Sequence, residues 1–76
     1  MIIEKLQEIF DDILEEEYQI LMETTRDEVP GWDSLATINL VVAIEEEFEI
    51  KINIEEVEAS FKDIKSIVQL IESKQA

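Results

Sequence analysis

"GWDSLATINLVVAIEEEFEI", residues 31–50, decides how this chain folds. From Ser34 to about Glu47 it reads as a helix. Leu35, Ile38, Val41, Val42, Ile44 and Phe48 form a wide apolar stripe expected to be buried, and Leu40 widens it. The two ends of this helix are unusual. Its start holds both Asp33 and Ser34, although either alone could cap it. Its finish holds Glu45, Glu46 and Glu47, at a terminus that carries partial negative charge and favours cations. A local rule broken without local gain points to function.

Upstream, Pro30 biases Val29 toward an extended backbone, and Gly31 can take the positive φ of a turn. From Glu17 to Trp32 no period holds. Ile20, Leu21 and Met22 are expected to anchor this connection, whose length is uncommon in so small a domain and often functional. Before it, "MIIEKLQEIFDDILEEE" places Ile2, Ile3, Leu6, Ile9, Phe10, Ile13 and Leu14 on one helical face. Glu4, Glu8, Asp11, Asp12 and Glu15 lie mostly opposite.

Downstream, "EIKINIEEVEAS" is ambiguous. Ile50, Ile52 and Ile54 alternate as in a strand, but Asn53 and Glu56 have the spacing of a capping box, with Ile52 and Val57 as its hydrophobic staple. An unpartnered short strand would be unstable. The spacing therefore predicts a loop to Ile52 and a short helix from about Ile54 to Ala59. Asp63 can cap a last helix, about Ile64 to Ser73, with Ile64, Ile67, Val68 and Ile71 inside. The sum is an all-α four-helix bundle, three helices longer and one short, forming a single domain over residues 1–76.

Composition narrows the function. Twenty acidic residues against six basic ones give a formal charge of −14. Such a surface repels nucleic acid phosphates and anionic lipid headgroups, and its natural partner is a protein with a basic patch. The chain has no cysteine and no histidine, so no disulfide is available and a metal would have to rest on carboxylates; no metal site is expected. No apolar run is long enough to span a bilayer, and the N-terminus lacks the basic start and apolar core of a signal peptide. A cytoplasmic monomer is expected.

The doubled helix start has two readings. Asp33 and Ser34 are two polar residues sharing a helix start, or Asp33 is the cap and leaves the Ser34 hydroxyl pointing to solvent. In the second case the hydroxyl stands at the positive end of the helix dipole, where an attached phosphate would be well placed. A nucleophilic serine would need a base and an orienting group. With no histidine, and Lys51 the nearest lysine in sequence, that reading is close to excluded.

Asp-Ser-Leu, an amphipathic helix, an acidic end and then a phenylalanine together resemble the signature region of acyl carrier proteins. The resemblance covers essentially the whole chain. It implies a carrier rather than an enzyme, with Ser34 esterified by 4′-phosphopantetheine from coenzyme A and the arm's thiol holding acyl groups as thioesters. It also implies that a phosphopantetheinyl transferase reads Asp33 and the helix that follows. Basic-patched acyl-transferring or acyl-processing enzymes would read Leu35, Ile38, Asn39, Val42, Glu45, Glu46 and Glu47, with Glu55 and Glu56 on the short helix. Charged recognition of this kind suits fast, reversible encounters.

Two departures stand out. Carriers of fatty-acid synthesis usually have acidic residues where this chain has Ala36 and Asn39, both expected on the exposed early part of the helix. Trp32 is also unusual before the motif; it packs the loop onto the helix, or it touches the arm or a partner. Together these resemble specialised stand-alone carriers of a lipid, polyketide or related pathway. The stripes of helices two and four, with Ile50, Ile52 and Phe61, could part to admit an alkyl chain. An aminoacyl or peptidyl carrier, including a D-alanyl one, remains an alternative. So does an acidic interaction domain without cofactor, although the carboxylate spacing around Asp27, Glu28 and Asp33 does not match an EF-hand loop.

Overall fold

In the computed structural model, which describes residues 2–15 and 18–75, α1 spans Ile2–Leu14, α2 Ser34–Phe48, α3 Ile54–Ser60 and α4 Ile64–Gln75. A single 3₁₀ turn lies at Arg26–Glu28. No strand occurs among the described residues, and Thr25 and Asp63 form an isolated antiparallel bridge. α1 packs on both α2 and α4, and α3 packs on α4. Leu6, Ile9 and Phe10 of α1 meet Leu40, Ile44 and Phe48 of α2 and Ile64, Ile67, Val68 and Ile71 of α4 in one core. Each fully buried side chain of this size contributes about 1.5–3 kcal/mol.

α1 and α4 follow their spacing closely, because each has one apolar face and one polar face. α4 runs two residues further than Ser73, and Asp63 caps it by accepting the Ser66 N–H at 2.7 Å. α3 carries both bonds of the capping box: Asn53 Oδ1 accepts from Glu56 N at 2.8 Å, and Glu56 Oε1 accepts from Asn53 N at 3.0 Å. Residues 50–53 form a loop, not a strand.

α2 corrects the expected stripe. Leu40, Ile44 and Phe48 are buried and Val41 is half-buried, but Leu35 and Ile38 are 68% and 60% exposed and Val42 is exposed as well. Ala36, expected outside, is buried with Thr37. The helix is apolar almost all round, so periodicity alone cannot choose its inner face; contacts at its start make that choice.

The connection is organised rather than loose. Its expected start at Glu17 lies outside the described residues. Gln7 of α1 holds it, donating to the Tyr18 carbonyl at 2.9 Å and accepting from Ile20 N at 2.8 Å. This bond sends Ile20 into the core, whereas Leu21 and Met22 stay exposed and do not anchor. A turn closed by Thr24 N donating to the Leu21 carbonyl directs them outward. Arg26 N then donates to the Lys62 carbonyl at 2.9 Å, and Ile64 N to the Thr24 carbonyl at 3.0 Å, tying the connection to the start of α4. Val29 is extended, as expected before Pro30. Gly31, at φ 80°, completes a turn in which Trp32 N donates to the Val29 carbonyl. That positive φ at the third position is what a type II turn requires.

Candidate functional site

Trp32 sets the face of α2. Its ring is buried and meets Phe10 edge-on, centroids 5.1 Å apart at 88°; such pairs contribute about 0.5–1.5 kcal/mol beyond burial. Its Nε1 donates to Thr37 Oγ1 at 3.0 Å, and that hydroxyl donates to the Asp33 carbonyl at 2.9 Å. The buried polar atoms are thereby satisfied, and Thr37 is drawn inward. Trp32 is the packing residue of the two readings open for it. Arg26 Nε, donating to the Trp32 carbonyl at 3.1 Å, pins the same stretch from outside.

Asp33 is the N-cap. Its backbone is extended and Oδ1 accepts the Ala36 N–H at 2.8 Å. Ser34 is thus the first helical residue, exposed, and its hydroxyl makes no hydrogen bond among the described residues. The cap and the free hydroxyl fall to different residues. Ser34 opens on a groove of about 410 Å³ lined by the cations Arg26 and Lys62 and by the apolar Ile38, Val57 and Phe61. A smaller, apolar cleft of about 190 Å³ lies beside it, lined by Ile38, Val41, Val42, Ile52, Ile54 and Val57. Ile38 and Val57 belong to both.

The other expected site residues divide into two groups. Leu35, Ile38, Asn39, Val42, Glu46 and Glu55 are exposed on α2 and α3 with no visible structural task. Glu45, Glu47 and Glu56 each have one. Glu45 Oε2 accepts the Ile52 N–H at 2.8 Å, which corrects the view that the acidic end brings no local gain. Glu47 faces Lys5 of α1 at 3.6 Å. Glu56 pairs with Lys74 at 2.8 Å. That bond first, and the Asn53 N–H second, hold its carboxyl below the ordinary value. Of the residues around Ser34, the sequence marks Val57 only as a staple and Phe61 only as part of a path for an alkyl chain, while Arg26, Thr37 and Lys62 have no signal in it beyond the scarcity of cations.

Fold and site define a small acidic helical domain that presents one unengaged serine hydroxyl at a helix start, with no helix among the described residues long and apolar enough to cross a membrane. The sequence model of phosphopantetheine attachment sites matches residues 4–71, and the chain belongs to that family. The structure is similar to the solution structure of a holo acyl carrier protein from Geobacter metallireducens. The two share 26% identity and a TM-score of 0.84 over 96% of this chain and 84% of that one. No curated protein matches the sequence. The chain is therefore a carrier and not an enzyme, its cofactor is a covalently attached phosphopantetheine, and it works through the transferase that adds the arm and the enzymes that process what the arm carries.

Proposed function

We propose that residues 1–76 form one acyl carrier domain in which Ser34 bears the 4′-phosphopantetheine arm. The observation that carries this is the division at the start of α2: Asp33 caps the helix, leaving the Ser34 hydroxyl exposed and unbonded among the described residues. The arm fits there. A phosphate on Ser34 would sit at the positive end of the α2 dipole, with a groove alongside to take the pantetheine. When attached, the arm supplies a thiol, which the chain itself lacks. The protein's own part is positioning and recognition.

The cleft beside the groove supports an acyl cargo over an aminoacyl one. Six aliphatic side chains line it, and it joins the Ser34 groove through Ile38 and Val57. We assign partner recognition to the exposed apolar face of Leu35, Ile38 and Val42 with Asn39, and to the acidic rim of Glu45, Glu46, Glu47, Glu55 and Glu56. Transferase recognition includes Asp33. The clients are cytoplasmic enzymes with basic patches, of a specialised lipid, polyketide or related pathway, which a monomeric carrier visits in turn.

The test is intact mass after incubation with coenzyme A and a phosphopantetheinyl transferase, beside Ser34→Ala. One phosphopantetheine added to the natural protein and none to the variant is the expected result. No gain with several transferases acting on folded protein would sink the carrier assignment at Ser34. Loading with acyl and with amino-acid substrates then separates the two cargo classes. If a long acyl chain leaves the amide shifts of Ile38, Val42, Ile52 and Ile67 unmoved, the chain does not enter the bundle.

A further inference from the structure

Only six residues of this chain are basic, and two of them, Arg26 and Lys62, line the groove onto which Ser34 opens. Their placement is set by the backbone. Thr25 and Asp63 are bridge partners, and Arg26 N donates to the Lys62 carbonyl at 2.9 Å. In an antiparallel pairing, residues next to a bridge pair also lie opposite each other and share the other face. Arg26 and Lys62 are therefore held side by side by a backbone hydrogen bond next to the bridge, and both line the groove.

Like charges brought close together repel, at a cost in stability. The chain had twenty carboxylates with which to avoid this. Neither cation is neutralised by an ion pair among the described residues. Lys62 makes no side-chain hydrogen bond there, and Arg26 engages only Nε, with the Trp32 carbonyl. By contrast, Lys5 and Lys74 are paired with Glu47 and Glu56. Asp27 and Glu58 also line the groove and temper the local field without forming ion pairs with the two cations. The field of Lys62 is felt by the neighbouring Asp63 carboxyl, whose affinity for a proton falls mainly through the Ser66 N–H and in smaller part through Lys62 and Lys65. Two cations lining the same groove as an exposed hydroxyl, in a strongly acidic chain, make an anion site.

We propose that Arg26 and Lys62 bind the phosphodiester of the arm once it is attached to Ser34, fixing the direction in which the arm leaves the protein along the groove between α2 and α3. This rests on Ser34 as the attachment point. The guanidinium keeps its terminal nitrogens for the phosphate while Nε holds the Trp32 carbonyl, so the same side chain ties the arm to the loop that sets the start of α2. Arg26 and Lys62 are positioning residues.

The experiment compares apo and modified protein for four chains: the natural sequence, Arg26→Gln with Lys62→Gln, Lys62→Gln alone, and Lys51→Gln with Lys65→Gln. The last loses the same charge away from the groove. Intact mass first establishes the modification and its loss in Ser34→Ala. Two readouts follow at low salt: the change in Tm on modification, and the phosphorus NMR shift of the phosphodiester relative to the same protein denatured. In the natural chain and the charge-matched control, the arm is expected to raise Tm by about 4 °C and to displace the phosphorus signal, both effects fading with added salt. In Arg26→Gln with Lys62→Gln, more than half of the Tm gain and of the displacement should vanish. Lys62→Gln, which removes no side-chain hydrogen bond of the fold, should show part of the loss. Equal Tm gains and equal phosphorus shifts in the double variant and its control would overturn the proposal while leaving Ser34 as the attachment point. No added mass on the natural chain would take both down.

Discussion

At the start of α2 an acidic side chain sits where the helix dipole favours it, and the indole, hydroxyl and carbonyl groups around it are bonded to one another. At the other end Glu45, Glu46 and Glu47 sit where the dipole disfavours them, and Glu49 ends the helix in a left-handed conformation, φ 54°, without being glycine. The start is organised around a single hydroxyl that it leaves free. The finish retains a cost in stability, and most of its charge faces outward. On the function proposed above, the difference separates stability from recognition along one helix. Side chains at the start fix position, so a covalent group can be placed there. Side chains at the end present charge, which is where the proposed function has partners met and released.

The comparison breaks most severely at Trp32. Trp32→Ala should cost about 3–5 kcal/mol, a large share of the 5–15 kcal/mol typical of a domain, and should also remove the donor that the Thr37 hydroxyl accepts from, leaving only its bond to the Asp33 carbonyl. Urea unfolding followed by circular dichroism measures it. Trp32→Phe keeps most of the area and should cost less, chiefly the bond to Thr37.

At the acidic end the effects are smaller and differ in sign. Glu45→Ala should lose about 1 kcal/mol because the Ile52 N–H loses its acceptor, whereas Glu45→Gln should stay near the parent. Glu49→Gly should gain about 1 kcal/mol by removing the Cβ from a left-handed residue, a rise in Tm of several degrees. Glu46→Gln should gain a few tenths of a kcal/mol from the dipole. A loss on Glu46→Gln as large as that of Glu45→Ala would mean that the acidic end is structural throughout.

Asp63 sharpens the contrast through pH. The Ser66 N–H first, its hydroxyl second, and the nearby lysines in smaller part hold the Asp63 carboxyl below the ordinary value of 3.8. A lowered folded value means that the unfolded chain takes up the proton first. The stabilisation is therefore complete above 3.8 and is lost as pH falls through the folded value. Asp63→Asn should flatten the loss of stability below about pH 4, measured by unfolding at a series of acidic pH values.

Much of this was legible from residue spacing. α1 and α4 have one apolar face each, and the caps at Asp33, Asn53 and Asp63 follow a residue type and an offset that the backbone imposes. The inner face of α2 was not legible, because Leu35, Ile38 and Val42 are as apolar as Leu40 and Ile44. What selects between them is the bond from Trp32 to Thr37 and the ring of Phe10 behind it, a contact across the fold. For the same reason Leu21 and Met22 looked like anchors beside Ile20, until Gln7 fixed which of the three turns inward. Ser34 stood out through its neighbour Asp33, whereas Arg26 and Lys62 meet only through the bridge of Thr25 and Asp63.

The claim that Asp33 holds the helix so that Ser34 need not is tested most directly by unfolding apo Asp33→Ala and apo Ser34→Ala side by side in one denaturant series. Asp33→Ala should lose about 1 kcal/mol, as a removed cap does, and Ser34→Ala should stay within about 0.5 kcal/mol of the parent. A loss of about 1 kcal/mol in Ser34→Ala, with Asp33→Ala unchanged, would make Ser34 the cap and contradict the account.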